Sequence, residues 1–257
     1  MFFLPGREQS KNGQANEGGD TRLLPETMLA NDPLPSGTPA EGSVVVTISR
    51  QFGSGGSDIG RLLAQQCGLN YVDHEIINEV ARRLEVDVQH VARQDEQTVG
   101  MAGHILEALK ANSPLTMNYG SFFNNSGVPQ SQAQEAVYLH LTQKVILEAA
   151  SRGNAVIIGR GSQFLLHNAP RTLHIHVFAP LPDRINYVMQ EFQLSHAEAN
   201  RLIEQRDYEH ESYLLRYYGS DGQQPWLYHL LINTGLFSFE LAASLIQQAL
   251  PIVKEIQ

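Results

Sequence analysis

Val44 to Ile48 is an unbroken apolar run, too short for a buried helix and lacking the alternation of a strand with one wet face. It reads as a strand covered on both faces, the kind that parallel α/β sheets contain. Further strand candidates lie at Asn70 to Val72, Ala155 to Ile158, Leu173 to Phe178 and His229 to Ile232. Between them lie stretches of helical spacing. Ile59, Leu62, Leu63 and Cys67 form one, stopped by Gly68; Ile76, Ile77, Val80 and Leu84 follow Asp73; a last one starts at about Phe239. Strands alternating with helices imply a parallel sheet with right-handed crossovers and ligands at the carboxyl ends of the strands.

The rest of the chain sets the boundaries. Residues 1–42 are rich in Gly, Pro, Asn, Gln and Glu, without a sustained apolar period, and are expected to be a disordered tail before a domain over 43–257. Residues 95–133 break the rhythm, so a weakly periodic insert is expected at about 85–135. A chain of 257 residues that is 42% hydrophobic can bury one large core. The single cysteine, Cys67, excludes an internal disulfide. No segment approaches the roughly 20 apolar residues of a membrane helix, and Met-Phe-Phe-Leu-Pro is too short an apolar run for a signal peptide, so a soluble, cytoplasmic protein is expected. A formal charge of -9 argues against a general nucleic-acid binder. Lys11, Lys110, Lys144 and Lys254 are the only lysines; every other cation is an arginine.

The turn after the first strand, Arg50-Gln-Phe-Gly-Ser-Gly-Gly-Ser57, has the composition of a phosphate cradle. Against the P-loop pattern G-x-x-x-x-G-K-[ST], Gly55 takes the second glycine and Ser57 the hydroxyl that binds magnesium. Gly56 falls on the lysine and Arg50 on the first glycine, so the pattern fails at two positions. The physics is less strict. Backbone N–H groups of Gly53, Ser54, Gly55, Gly56 and Ser57 at a helix N-terminus bind phosphate oxygens whatever side chain follows. Arg50, at the strand's end, is the nearest replacement for the missing charge, and its planar fork suits phosphate. Two other readings stay open: a dinucleotide-binding turn with Asp73 as the ribose acid, and a turn with a structural role alone.

Four segments in order, Ile48-Ser-Arg-Gln-Phe-Gly-Ser-Gly-Gly56, Tyr71-Val-Asp-His-Glu-Ile-Ile77, Ala155-Val-Ile-Ile-Gly-Arg-Gly161 and Ile232-Asn-Thr-Gly235, resemble the cytidylate kinase-like proteins, a bacterial branch of the P-loop nucleoside monophosphate kinases. The branch characteristically has glycine where ordinary P-loops have lysine. The resemblance implies a three-layer fold with a five-stranded parallel sheet, helices on both faces, a helical acceptor-binding insert and a lid at about 190–225. It also implies ATP with Mg2+ and a nucleoside monophosphate, CMP or dCMP, as ligands.

By the same resemblance Arg160 would hold the acceptor phosphate. Asp73, at the end of a short strand, reads equally as a carboxylate that orients the acceptor or magnesium-bound water and as the N-cap of a helix from His74. Arg206, in an Arg-Asp pair like that of cytidylate kinase lids, and Arg216 would neutralise charge in transit. Arg184 is a further phosphate-facing candidate. The sequence departs from the family at Gly161, where cytidylate kinases have an acid after the arginine, and at His210, where the lid has an acid. A nucleotide-binding regulatory or interaction protein that keeps the fold with weak catalysis is the alternative. His174 and His176 share a strand face, a weak metal signal. Ser195 and Glu198 make a capping box, and Trp226 with its neighbouring tyrosines is expected to pack the lid root.

Overall fold

The computed structural model describes residues 34–73 and 130–254. The expected tail up to residue 33, the helix expected after Asp73 and the expected insert up to residue 129 lie outside the described residues.

Five strands, β1 (Val45–Arg50), β2 (Asn70–Val72), β3 (Ala155–Ile158), β4 (Thr172–Phe178) and β5 (Leu230–Asn233), form one parallel sheet in the order β2-β3-β1-β4-β5. β1 is the central strand, with Val45 paired to Ala155 on one side and to Thr172 on the other. It runs two residues past its apolar run. Ser49 and Arg50 go on pairing with His176 and Val177 of β4 after β3 has stopped at Ile158. Pairing extends the strand where hydrophobicity gives no reason to, and it carries Arg50 to the rim of the sheet.

The described helices are α1 (Gly56–Cys67), α2 (Gln130–Arg152), α3 (Ser162–Leu165), α4 (Leu181–Phe192), α5 (His196–Tyr218) and α6 (Phe239–Lys254). α1 and α6 pack together on one face, over Val46, Ile48, Val156, Ile158, Ile175 and Val177. The alternate residues Val45, Thr47, Ala155 and Ile157 are equally buried and turn to the opposite face, where α2 packs on β3 and α3 on β1. Both faces are therefore dry, and each apolar side chain so buried contributes about 1.5–3 kcal/mol. This is the three-layer α/β fold that the unbroken runs imply. Gly68 ends α1 in the left-handed conformation, at φ 64°.

α4 and α5 form a helical hairpin beyond the carboxyl edge, with a small core of Ile185, Val188, Ala199 and Ile203 packed against Phe52. The Ser195–Glu198 capping box starts α5. Tyr217 and Tyr218 close its far end, in a second small core with Leu139 and Leu214. Trp226 takes no part in that packing: it sits on a short 3-10 turn that buries nothing and is 77% exposed. His174 is used structurally, with Thr47 Oγ1 and His174 Nδ1 2.7 Å apart. Among the described residues there is no cluster of metal-ligating side chains, and no helix is long and apolar enough to cross a membrane.

Candidate active site

Between Arg50 and Gly56 the chain turns through Gly53 and Gly55, at φ 79° and 76°, a conformation that costs glycine no Cβ strain. Gly55 caps α1, and Ile59 is the first amide to bond back into the helix, to Gly55 O at 3.0 Å. The amides ahead of it have no intrahelical acceptor, and the positive end of the helix points the same way. The cradle is held from beneath. Ser54 Oγ donates to Gln51 O (2.8 Å) and Val177 O (3.1 Å), and Thr234 Oγ1 donates to Ser54 O (2.8 Å). The Phe239 ring fills the space that a Cβ on Gly55 would need, 2.1 Å away. Ser54 is thus part of the foundation of the turn, its side chain turned inward.

Gly56 sits where the common pattern has lysine. A Cβ built on it would lie 2.6 Å from Arg50 Cβ and 3.0 Å from Arg50 Cγ. A lysine at 56 and an arginine at 50 therefore compete for one space. Arg50 runs past Gly56 and lays its guanidinium over Gly159, where a Cβ would meet Nη1 at 2.1 Å. Burial lowers the Arg50 pKa from its ordinary value and Arg160 adds to this, while Tyr71 and Asp73 oppose it. An arginine starts so high that it remains a cation at neutral pH.

Arg160 leaves β3 on a strained turn. Gly159, Arg160 and Gly161 are three successive left-handed residues, at φ 72°, 55° and 71°, and the arginine bears about 1 kcal/mol of strain for it. Strain of this kind collects at functional sites. Two tyrosines hold the turn. The Tyr218 ring fills the Cβ position of Gly161, 2.2 Å away, and its hydroxyl donates to Arg160 O at 3.1 Å; the Arg160 guanidinium lies 5.3 Å from the Tyr213 ring centre. An acid at 161 would collide with Tyr218.

A cavity of about 590 Å³ opens above the carboxyl edge, and its wall brings Arg50, Gly53, Gly55, Gly56 and Ser57 together with Arg160 and Arg206. Arg206 is half-exposed and held by Glu209 at 3.1 Å. Asp73 directly follows β2, half-buried and within charge range of Arg50, outside the cavity wall itself. Arg216 does not join this group: it lies at the far end of α5, exposed and against the Tyr217 ring at 5.6 Å. Arg184 is turned away from the cavity and is taken up by Asp207, whose other carboxylate oxygen accepts from Phe52 N at 3.1 Å. Arg184 also donates to Phe52 O at 3.2 Å. α5 is thereby latched to the cradle.

Asp58, Arg61 and Tyr187 line the wall without a signal of their own in the sequence, and His210, which the sequence shows only as a departure from the family's acid, joins them there. Asp58 Oδ2 accepts from Tyr187 OH at 2.5 Å and Oδ1 accepts from Arg61 at 2.9 Å. Burial, with the Asp58 carboxylate, raises the Tyr187 pKa. His210 projects from α5 into the same wall; burial above all, with the charges of Arg50 and Arg160, holds its pKa down at about 4. The arrangement offers free amides, a helix N-terminus and several arginines to a polyanionic ligand.

A family model described as the cytidylate kinase-like family matches residues 45–236. A cytidylate kinase from Pyrococcus horikoshii is 33% identical over 104 residues, which are 40% of this chain and 53% of that protein, so the match spans about half the length of this relative. An uncharacterised protein from Eubacterium ventriosum superposes with a TM-score of 0.52 at 15% identity, covering 81% of this chain and 98% of that one. At that identity the likeness is one of fold.

Proposed function

Because the chain belongs to the cytidylate kinase-like family, we propose that it transfers the γ-phosphoryl group of ATP to a nucleoside monophosphate, with CMP or dCMP as acceptor. The observation that carries this is the convergence of the cradle glycines, Arg50, Arg160 and Arg206 on one cavity. Phosphoryl transfer asks a protein for position and for positive charge around the moving group. The amides of Gly53, Gly55, Gly56 and Ser57 hold the β-phosphate, while that of Ser54 is spent on Gln51 O, and Arg50 takes the place of the absent lysine. Arg160 fixes the acceptor phosphate, and Arg206 comes over the transferred group from the lid. Asp73, beside Arg50, orients the acceptor. Ser57, a hydroxyl in the first turn of the cradle helix, is the residue to hold magnesium, which when bound neutralises the phosphate oxygens.

Tyr218 favours a second reading, a weakly catalytic nucleotide-binding protein, because it occupies the place of the acid that cytidylate kinases carry after their arginine. One assay separates the two. ADP is measured from ATP and magnesium against a panel of ribo- and deoxyribonucleoside monophosphates. ADP formed only with an acceptor, and lost in Arg50→Ala and Arg160→Ala, establishes the kinase. ATP binding without turnover on any acceptor establishes the second reading.

A further inference from the structure

His210 is the one imidazole among the described residues that lines the cavity wall, and it does so beside the two arginines assigned to the phosphates. Its charged and titratable surroundings come from every element around it: Arg50 from β1, Arg160 from the end of β3, His176 from β4, and Asp207 one turn earlier on its own helix. Arg206, Glu209 and Tyr213 of α5 line the same wall. Of the anions around it on the helix, Asp207 has both oxygens engaged, by Phe52 N and by Arg184, and Glu211 accepts from Gln223. Glu209 accepts from Arg206 and Gln205. Burial comes first in keeping the imidazole neutral; two cations and a shortage of free acceptors add to it while the cavity holds no anion. A bound polyphosphate reverses both conditions, because it neutralises Arg50 and Arg160 and supplies acceptor oxygens at hydrogen-bond range.

We propose that His210 is a phosphate ligand that takes up a proton from solvent when a polyphosphate settles against Arg50 and Arg160, so that nucleotide binding is proton-linked. This rests on the nucleotide-binding reading above. The step is an acid–base one: the free imidazole nitrogen gains a proton from water or buffer, and the imidazolium then donates to a phosphate oxygen. A group that is neutral before binding and charged after it makes affinity fall with rising pH, by up to about tenfold per unit. An acid at this position would accept nothing from solvent at neutral pH and would repel the phosphate, so the exchange of acid for histidine changes what the lid senses.

The test is calorimetry of the whole chain with a non-hydrolysable ATP analogue and magnesium, in two buffers of different ionisation enthalpy between pH 7 and 8. The buffer dependence of the heat counts protons. Wild type is expected to take up a fraction of a proton to about one proton more than His210→Asn, and its dissociation constant is expected to rise more steeply with pH. Equal uptake and equal slopes overturn the proposal and leave the nucleotide-binding reading intact. Absence of any binding overturns both. A second measurement needs no altered protein: in histidine-labelled wild type, one imidazole signal must move from the neutral to the doubly protonated position on adding the analogue at pH 7. A set of imidazole signals unchanged by saturating analogue overturns the proposal.

Discussion

The place of Arg50 on the cavity wall was legible in the sequence, because it stands between the first apolar run and a glycine-rich turn. The reason for Gly56 was not legible. It depends on a 2.6 Å approach between Arg50 Cβ and the place where a Cβ on Gly56 would be, which no spacing rule expresses. Arg50→Ala is expected to lower kcat/KM for ATP by roughly 10²-fold or more, the usual size for loss of one preorganised charge donor. Arg50→Lys is expected to recover part of this, since lysine keeps the charge and loses the fork. Turnover of Arg50→Ala within about threefold of wild type, or less than about 0.7 kcal/mol of barrier, would remove Arg50 from the mechanism. Arg160→Gly makes a different prediction. It relieves the left-handed strain at φ 55°, so its melting temperature should match or exceed wild type while acceptor-dependent ADP is lost; a variant both unstable and active would show the strained turn to be structural. Asp58, Arg61 and Tyr187 escaped the sequence reading for one reason. Each belongs to the site only through a neighbour on another element.

At the scale of elements, whatever is specified locally could be read. β2 and β3 have the bounds their apolar runs suggest, α6 starts at Phe239, and the Ser195–Glu198 capping box is present. What is specified by a partner could not. The end of β1 depends on β4, and the latch joins Asp207 to Phe52 across 155 residues of chain. The two kinds of feature should respond differently to substitution. Ser195→Ala is expected to cost about 1 kcal/mol of stability by denaturant midpoint and to leave nucleotide affinity unchanged. Asp207→Asn strands the Arg184 guanidinium, only 9% exposed, beside Phe52 O, and should cost about 2 kcal/mol. It should also weaken nucleotide binding, because the amide and carbonyl it steadies belong to the cradle. Affinity that survived Asp207→Asn would mean that the hairpin and the cradle are independent.

For the whole molecule, the order β2-β3-β1-β4-β5 puts the ends of β1, β2 and β3 side by side, so residues far apart in the chain meet at one rim. The apolar runs announced a sheet without giving this order. Acid stability is a property at the same scale. His174 and His210 are both held down at about 4 against an ordinary value of 6.5, chiefly by burial. Below pH 6.5 the unfolded chain binds protons that the folded chain refuses, so stability is complete above that value and is lost as the pH falls toward 4. Each histidine contributes a slope of up to roughly 1.4 kcal/mol per pH unit. The midpoint of urea unfolding should drop across that window, and less so in His210→Asn; a midpoint constant from pH 6.5 to 4.5 would contradict it. The ring of Tyr218 beneath Gly161 has a consequence of another kind, one of ancestry. Side chains in contact do not change independently. A lineage with this tyrosine cannot reach the glycine-arginine-acid form by one exchange, since an acid at 161 meets a filled space and a smaller residue at 218 alone leaves Arg160 without its prop. Relatives of either form are expected to carry position 161 and position 218 as a pair.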